Sequence, residues 1–258
     1  MPRTCFGGYK IESVPANSSS KYGRGSGGVL VGIRQDVSMA ISVLPIYHDN
    51  VMWLEVYAGR KLACAVVYSR TSEERYGHVV DELYEFLVES VNKLKTSHEI
   101  VVMGDFNSRI GEIVGDRKVN ENGKKFINFL ETTGLAMLNT DYFFGVPTFL
   151  SADAEKSSIV DYVLVDSRLE DRIVEARVAP NDIGSDHRAI VASLKLDGEL
   201  HTFEIGGLLR VKSLTVAATD AIRTDLRQME WNNGVSSRFL QICTLGLTNG
   251  SLIFLELK

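Results

Sequence analysis

The stretch Glu99-Ile100-Val101-Val102-Met103-Gly104-Asp105-Phe106-Asn107 limits what this chain can fold into more than any other. An apolar, β-branched run that stops at Gly-Asp-x-Asn predicts a buried strand that ends in a carboxylate and a carboxamide at its C-terminal rim. Residues two apart in a strand share a face, so Asp105 and Asn107 would project the same way. An Asx turn closing a core strand explains the same residues. On this fragment alone, both readings stand.

Two more acid-bearing fragments alter the balance. Ser158-Ile159-Val160-Asp161-Tyr162-Val163-Leu164-Val165 places one acid within an apolar strand. Gly184-Ser185-Asp186-His187-Arg188-Ala189-Ile190-Val191 places an Asp-His pair just ahead of another. A carboxylate inside a strand is costly to bury unless it is paired or hydrogen-bonded, and a downstream histidine supplies a partner. Each fragment taken singly also fits a capped turn. Three strand-associated acid clusters, one with a histidine, argue for a site.

In order, Gly104-Asp105-Phe106-Asn107, Pro147-Thr148-Phe149, Val160-Asp161-Tyr162-Val163 and Ser185-Asp186-His187 resemble the endonuclease/exonuclease/phosphatase superfamily. The similarity is greatest to the endonuclease domains of non-LTR retrotransposons and to the craniofacial-development-protein-2-like proteins, and spans Gly7 to Leu196. The resemblance implies a two-layer β-sandwich flanked by helices, with the site at one rim of the sandwich. It implies Mg²⁺- or Mn²⁺-dependent hydrolysis of DNA phosphodiesters. Asp105 would orient and deprotonate the attacking water. Asn107 and His187 would grip the phosphate, and Asp161 would orient His187. Asp186 would belong to the metal site, and Tyr68, closing Lys61-Leu62-Ala63-Cys64-Ala65-Val66-Val67-Tyr68, would touch the phosphate. Such chemistry asks for a base, an oriented water and donors facing the charge that develops on phosphorus.

The sequence departs from the family pattern at its start. The family opens with an Asn-bearing strand and a second strand ending in Gln-Glu, whose Glu is the principal metal ligand. Here Gly7-Gly8-Tyr9 resembles the segment just after that Glu, and Glu12 falls in the following strand. The expectation is a fold lacking its first two strands, with Mg²⁺ weakly held, since Mg²⁺ keeps its water shell unless anionic ligands compete. The chain alone is then expected to lack appreciable nuclease activity. Two alternatives remain: a non-catalytic remnant that binds nucleic acid or protein, and a phosphatase acting on a small phosphoester.

The 258 residues carry a net charge of −5, so no overall basic signature marks a nucleic-acid binder. Lys21-Tyr22-Gly23-Arg24, Arg117-Lys118 and Lys124-Lys125 are local basic spots, each also readable as solvated surface. Cys5, Cys64 and Cys243 have no metal-ligand spacing, and Cys64 reads as a buried strand residue. Neither a signal-peptide pattern nor a bilayer-spanning run is present, so the expectation is an intracellular protein, nuclear or cytoplasmic, with DNA rather than a membrane as partner.

Along the chain, a Ser/Gly-rich loop over 13–28 precedes the strand Val29-Ile33. Val51-Tyr57 and the strand ending at Tyr68 form an antiparallel pair. A helix is predicted over Glu73–Lys95, with His78 and His98 exposed near its ends, and a second over Glu121–Thr133, stopped by Gly134. The strand Leu135-Leu138 follows. Residues 1–198 read as the partial nuclease-like domain. Residues 199–258 read as a tail, with a helix over Val211–Glu230 and a β-hairpin, Phe239–Leu247 and Leu252–Leu257, closed by Asn249-Gly250.

Overall fold

The computed structural model describes residues 4–6, 9–15, 28–34, 40–57, 59–151, 153, 155–179, 185–196, 201–206, 238–247 and 250–257. The first strands are β1 (Thr4–Phe6), β2 (Tyr9–Val14), β3 (Val29–Arg34), β4 (Ala40–His48), β5 (Val51–Tyr57), β6 (Lys61–Tyr68) and β7 (Glu99–Asp105). Helix α1 (Gly77–Leu94) joins β6 to β7, and α2 (Glu121–Thr133) follows. Next come β8 (Ala136–Met137), α3 (Leu138–Tyr142), β9 (Phe149–Leu150), β10 (Ser157–Ser158), β11 (Asp161–Val165) and β12 (Ile173–Val178). The last strands are β13 (Ile190–Leu196), β14 (His201–Gly206), β15 (Arg238–Leu247) and β16 (Gly250–Leu257).

Among the described residues, one sheet has six strands in the order β4-β5-β6-β7-β11-β8. A second has eight, in the order β1-β2-β3-β16-β15-β14-β13-β12. Side-chain alternation along the six-stranded sheet separates two cores. Met52, Leu54, Cys64, Val66, Val101, Met103 and Val163 pack toward the other sheet, against Val31, Ile190 and Leu194. Trp53, Ala65, Val67, Ile100, Val102, Tyr162 and Leu164 pack the other way, against Leu83 and Leu87 of α1 and Phe126 and Phe129 of α2. This is the sandwich with flanking helices that the motifs predict. Strands apolar on both faces are what a sheet between two layers requires.

Several expectations change in detail. A 3₁₀ turn over Glu74–Tyr76 takes the first residues of the predicted long helix, so α1 begins at Gly77. His78 is exposed, but His98 is buried: its Nε2 lies 2.8 Å from Glu55 Oε2 and its Nδ1 2.8 Å from Ser97 Oγ. The predicted strand Leu135–Leu138 shrinks to two residues, because Leu138 opens α3. Ser158–Val165 is not one strand: β10 turns off to pair with β9, leaving Asp161 at the head of β11. Glu12 lies on β2, in a strand as expected, and pairs with Lys10 at 2.6 Å. Cys64 is fully buried, and burial pushes its thiol up to about 12.

Beyond residue 198 the hairpin β15–β16 forms, with Leu247 paired to Gly250, so Gly250 already belongs to the strand and not to the turn. β16 runs parallel to β3, and β15 parallel to β14, which places the hairpin in the interior of the eight-stranded sheet. The Ser/Gly-rich loop at 16–27, Gly7-Gly8, Lys21–Arg24 and the predicted helix over 211–230 lie outside the described residues. No helix among the described residues is long and apolar enough to cross a membrane.

Candidate active site

Three strand ends meet at one rim of the six-stranded sheet. β6 ends at Tyr68, β7 ends at Asp105 and β11 begins at Asp161. Tyr68 is in register with Asp105 in the parallel β6–β7 pair, and Asp105 with Asp161 in the antiparallel β7–β11 pair. Counting outward from Met103 and Val163, alternation turns both carboxylates toward the space between the sheets. The segment leading into β13 faces them and carries Asp186 and His187.

That segment is held by main-chain bonds to the strand opposite. Phe149 and His187 form an antiparallel bridge, Leu150 N–H donates to Asp186 O (2.7 Å), and Arg188 N–H donates to Thr148 O (2.7 Å). The Phe149 ring packs edge-on against the imidazole, 5.2 Å between centroids. Asp161 is anchored as tightly: Thr148 Oγ1 accepts from the N–H groups of Val160 and Asp161, and Asn139 Nδ2 donates to Asp161 O at 2.9 Å.

The outcome is a buried pair. His187 Nδ1 lies 3.1 and 3.0 Å from the two oxygens of Asp161. Burial alone would push the imidazole down, but the Asp161 carboxylate in contact with it outweighs that, with Asp105 and Asp186 adding to the field, and raises His187 to about 9. At neutral pH His187 is therefore charged and Nδ1 donates to Asp161, leaving Nε2–H as its other donor. Ligand-type atoms of Asp105, Asp161 and His187 all lie within 4.8 Å of one another.

The strand reading of the Gly-Asp-x-Asn fragment holds as far as Asp105, where β7 ends, and the Asx turn, not strand alternation, places Asn107 beside it. Asn107 is at φ 47°, and its backbone N–H donates to Asp105 Oδ1 (2.8 Å), as in an Asx turn. Its Nδ2 also reaches Asp105 Oδ2 (3.1 Å) and Ser69 O (2.8 Å), so the turn itself fixes both side chains at the site.

Sequence reasoning gave no role to the residues that hold this turn. Asn120 caps α2 by accepting from Gly123 N–H (2.7 Å), accepts from Arg109 N–H (2.9 Å), and donates to Asn107 O (2.9 Å). An Asn immediately before a predicted helix is a cap signal that points to it. Beneath the turn, Tyr162 Oη donates to Ser108 O (2.7 Å), and Tyr84 Oη bonds Ser108 Oγ (2.9 Å). Nothing in the local sequence marks these contacts.

The donor chemistry bears on the divalent cation the resemblance implies. Asp161 is engaged by a charged imidazole, and a protonated imidazole is no ligand. Among the described residues, the oxygens of Asp105, Asn107 and Asp186 suit a hard cation, and those of Asp161 reach one only while still accepting from His187.

Residues 62–191, half of the chain, match the family described as Endonuclease-reverse transcriptase. The chain belongs to this family. With its sandwich fold, this places it in the endonuclease/exonuclease/phosphatase superfamily. The structure is similar to the endonuclease domain of TRAS1, a telomere-specific non-LTR retrotransposon: TM-score 0.58 and 18% identity, over 73% of this chain and 80% of that one. It is also similar to the AP endonuclease LMAP from Leishmania major: TM-score 0.57 and 16% identity, over 70% and 69% of the two chains. At these identities the likeness is one of fold. No curated protein matches the chain in sequence. Within an endonuclease-reverse transcriptase family member, the matched span contains every one of the proposed site residues: Tyr68, Asp105, Asn107, Asp161, Asp186 and His187.

Proposed function

We propose that this domain hydrolyses phosphodiester bonds of DNA with a divalent cation, Mg²⁺ or Mn²⁺. The observation that carries the reading is the buried Asp161–His187 pair beside Asp105, all within 4.8 Å at the rim where three strands end. Asp105 takes a proton from the attacking water. Water oxygen bonds to phosphorus as the P–O bond opposite breaks, and the leaving oxygen departs with the bonding pair and takes a proton from solvent. The Nε2–H of charged His187 holds a phosphate oxygen, where donors gain most as charge develops. Asn107 holds another by turning one Nδ2–H away from Asp105 or Ser69. Asp161 keeps His187 protonated and oriented, and Tyr68 borders the same space. A cation bound by Asp186 and the neighbouring oxygen donors would supply Lewis-acid stabilisation of that charge. Structures of nucleases in the same superfamily support DNA as the substrate class.

With Asp161 committed to His187, few carboxylate oxygens are left for the cation among the described residues, which favours weak cation binding and slow turnover. The same observation supports a second reading, a domain of this fold that binds nucleic acid without cutting it. Purified protein incubated with supercoiled plasmid across a Mg²⁺ titration distinguishes the two. The first predicts nicking that rises with Mg²⁺ without early saturation and disappears in Asp105→Asn and His187→Ala. DNA binding with no nicking at any Mg²⁺ or Mn²⁺ concentration sinks the first and leaves the second.

A further inference from the structure

A cleft of about 480 Å³ opens beside the rim, between the segments 109–118 and 145–159. Its walls continue the segments that build the site. Arg109 is two residues past Asn107, Ile159 two before Asp161, and Pro147 directly before Thr148.

The charge in this cleft is opposite in sign to that of the chain as a whole. Its acids are Asp116 and Glu155. Asp116 is already answered: Arg109 chelates it through Nε and Nη2, and the N–H groups of Arg117 and Ile159 donate to it. The exposed cations Arg117 and Lys118 have no ion-pair partner among the described residues, and Lys156 stands on the opposite wall, with exposed Asp153 in its field. Three cations stand against two carboxylates, Glu155 in the lining and Asp153 beside Lys156, a positive excess in a chain whose net charge is −5.

The lip is aromatic and its base is bare. Gly115 and Gly145 both lie at positive φ, 77° and 75°. A Cβ on Gly115 would stand 2.7 Å from Gly145 Cα and 3.0 Å from the Phe144 ring. Phe144 is 59% exposed, so an apolar ring is held in the open beside Gly115, which lines the cleft. Cations spaced along a groove with an adjacent aromatic face match a nucleic-acid strand, whose phosphates repeat and whose sugars and bases offer apolar faces.

We infer that this cleft binds the sugar-phosphate backbone of the DNA strand flanking the bond to be cut, with Arg117 and Lys118 on one side and Lys156 on the other contacting phosphates and Phe144 packing on a sugar or base. The inference rests on the hydrolytic reading for the identity of the strand, but not for the chemistry that recognises it.

The test is binding of a fluorescein-labelled DNA duplex to the full chain in EDTA, measured by anisotropy across a salt series. For the Arg117→Glu/Lys118→Glu double variant, affinity should fall by about tenfold or more, and the slope of log affinity against log salt should shrink by about 1.8, two phosphate contacts' worth. Lys156→Glu, on the other wall, should shrink it by about half as much. Lys124→Glu, whose side chain is paired with Glu121 on α2, should leave affinity unchanged. Undiminished binding by the double variant, or no binding by the wild-type chain at low salt, overturns the inference. Hydrolysis of bis(4-nitrophenyl) phosphate, too small to need the cleft, reads the catalytic proposal separately. Cleft-dependent DNA binding without that turnover sinks the hydrolytic reading and keeps the cleft.

Discussion

The carboxamide of Asn120 donates to the carbonyl oxygen of Asn107 at 2.9 Å while the same side chain caps α2. One residue thus ties the start of a helix to a turn that carries two side chains of the site. Asn107 sits at φ 47°, a conformation few non-glycine residues adopt unless their surroundings hold it. Asn120→Ala removes the cap and the Arg109 contact, and should destabilise the fold by about 2 kcal/mol. Asn120→Asp keeps both acceptor roles but cannot donate to Asn107. Its melting temperature should stay near that of the wild type, while turnover of a small phosphodiester falls. Equal turnover in Asn120→Asp and wild type would show that the Asn107 contact has no bearing on the site.

Two glycines at positive φ separate conformational strain from steric exclusion. Gly104 lies at φ 148°, and a Cβ there would stand 1.9 Å from the carbonyl oxygen of Val67, in the neighbouring strand. Gly134 terminates α2 at φ 60°, with nothing within 4 Å of a Cβ. Gly104→Ala must push β6 and β7 apart at the rim, and should cost at least ~3 kcal/mol. Gly134→Ala bears the left-handed strain alone, about 1–2 kcal/mol. Urea denaturation of both variants checks the ranking. A cost for Gly134→Ala equal to that of Gly104→Ala would contradict it.

The site was legible where an acid breaks or adjoins an apolar strand. Asp105 and Asp161 stood out as acids breaking continuous apolar runs, and the Asp-His pair stood out beside another. Their convergence came from the resemblance, because strands apolar on both faces show no period. The supports were not legible. Asn139, Thr148, Ser108 and Asn120 bond main-chain atoms distant in sequence, and a polar loop residue looks the same whether it does so or faces water. His98 was read as exposed because it follows a helix end, but folding brings Glu55 to it from 43 residues away. The hairpin β15–β16 could be read from two apolar runs around a turn. Its place between β3 and β14 could not, because the parallel pairs Ser251–Val29 and Arg238–His201, 222 and 37 residues apart in sequence, leave no local trace.

The Asp161–His187 pair sets the alkaline limb of stability. His187 ordinarily titrates at 6.5 and is raised to about 9 in the fold. A group whose folded value is raised contributes fully below its unfolded value and loses that contribution as pH climbs through the folded one. Melting temperature should therefore decline from pH 6.5 upward until about pH 9 is passed. In Asp161→Asn the histidine loses the charge that raises it, so the variant should be less stable near neutrality and show a flatter decline. An alkaline limb as steep in the variant as in the wild type would assign it to other groups.

The acid limb has a different source. Burial raises the Asp116 carboxyl, but the Arg109 fork and the Ile159 N–H outweigh that and hold it below the usual carboxylate range. A lowered folded value gives stability that is present above the unfolded value, 3.8, and is lost as pH falls through the folded one. Arg109→Ala leaves a buried carboxylate facing only backbone donors, and should cost about 3 kcal/mol at neutral pH. Without the guanidinium, Asp116 protonates at higher pH, so the acid limb of the variant should start earlier than that of the wild type. Arg109→Lys restores a charge but not the two-pronged geometry, and should fall between the two. Because Ile159 N–H bonds the same carboxylate, loss of Arg109 also loosens the chain two residues before Asp161. Melting curves from pH 3 to 7 on the three proteins test this ordering: wild type most acid-resistant, then Lys, then Ala. An Ala variant as acid-resistant as the wild type would show that Arg109 does not set the Asp116 protonation state.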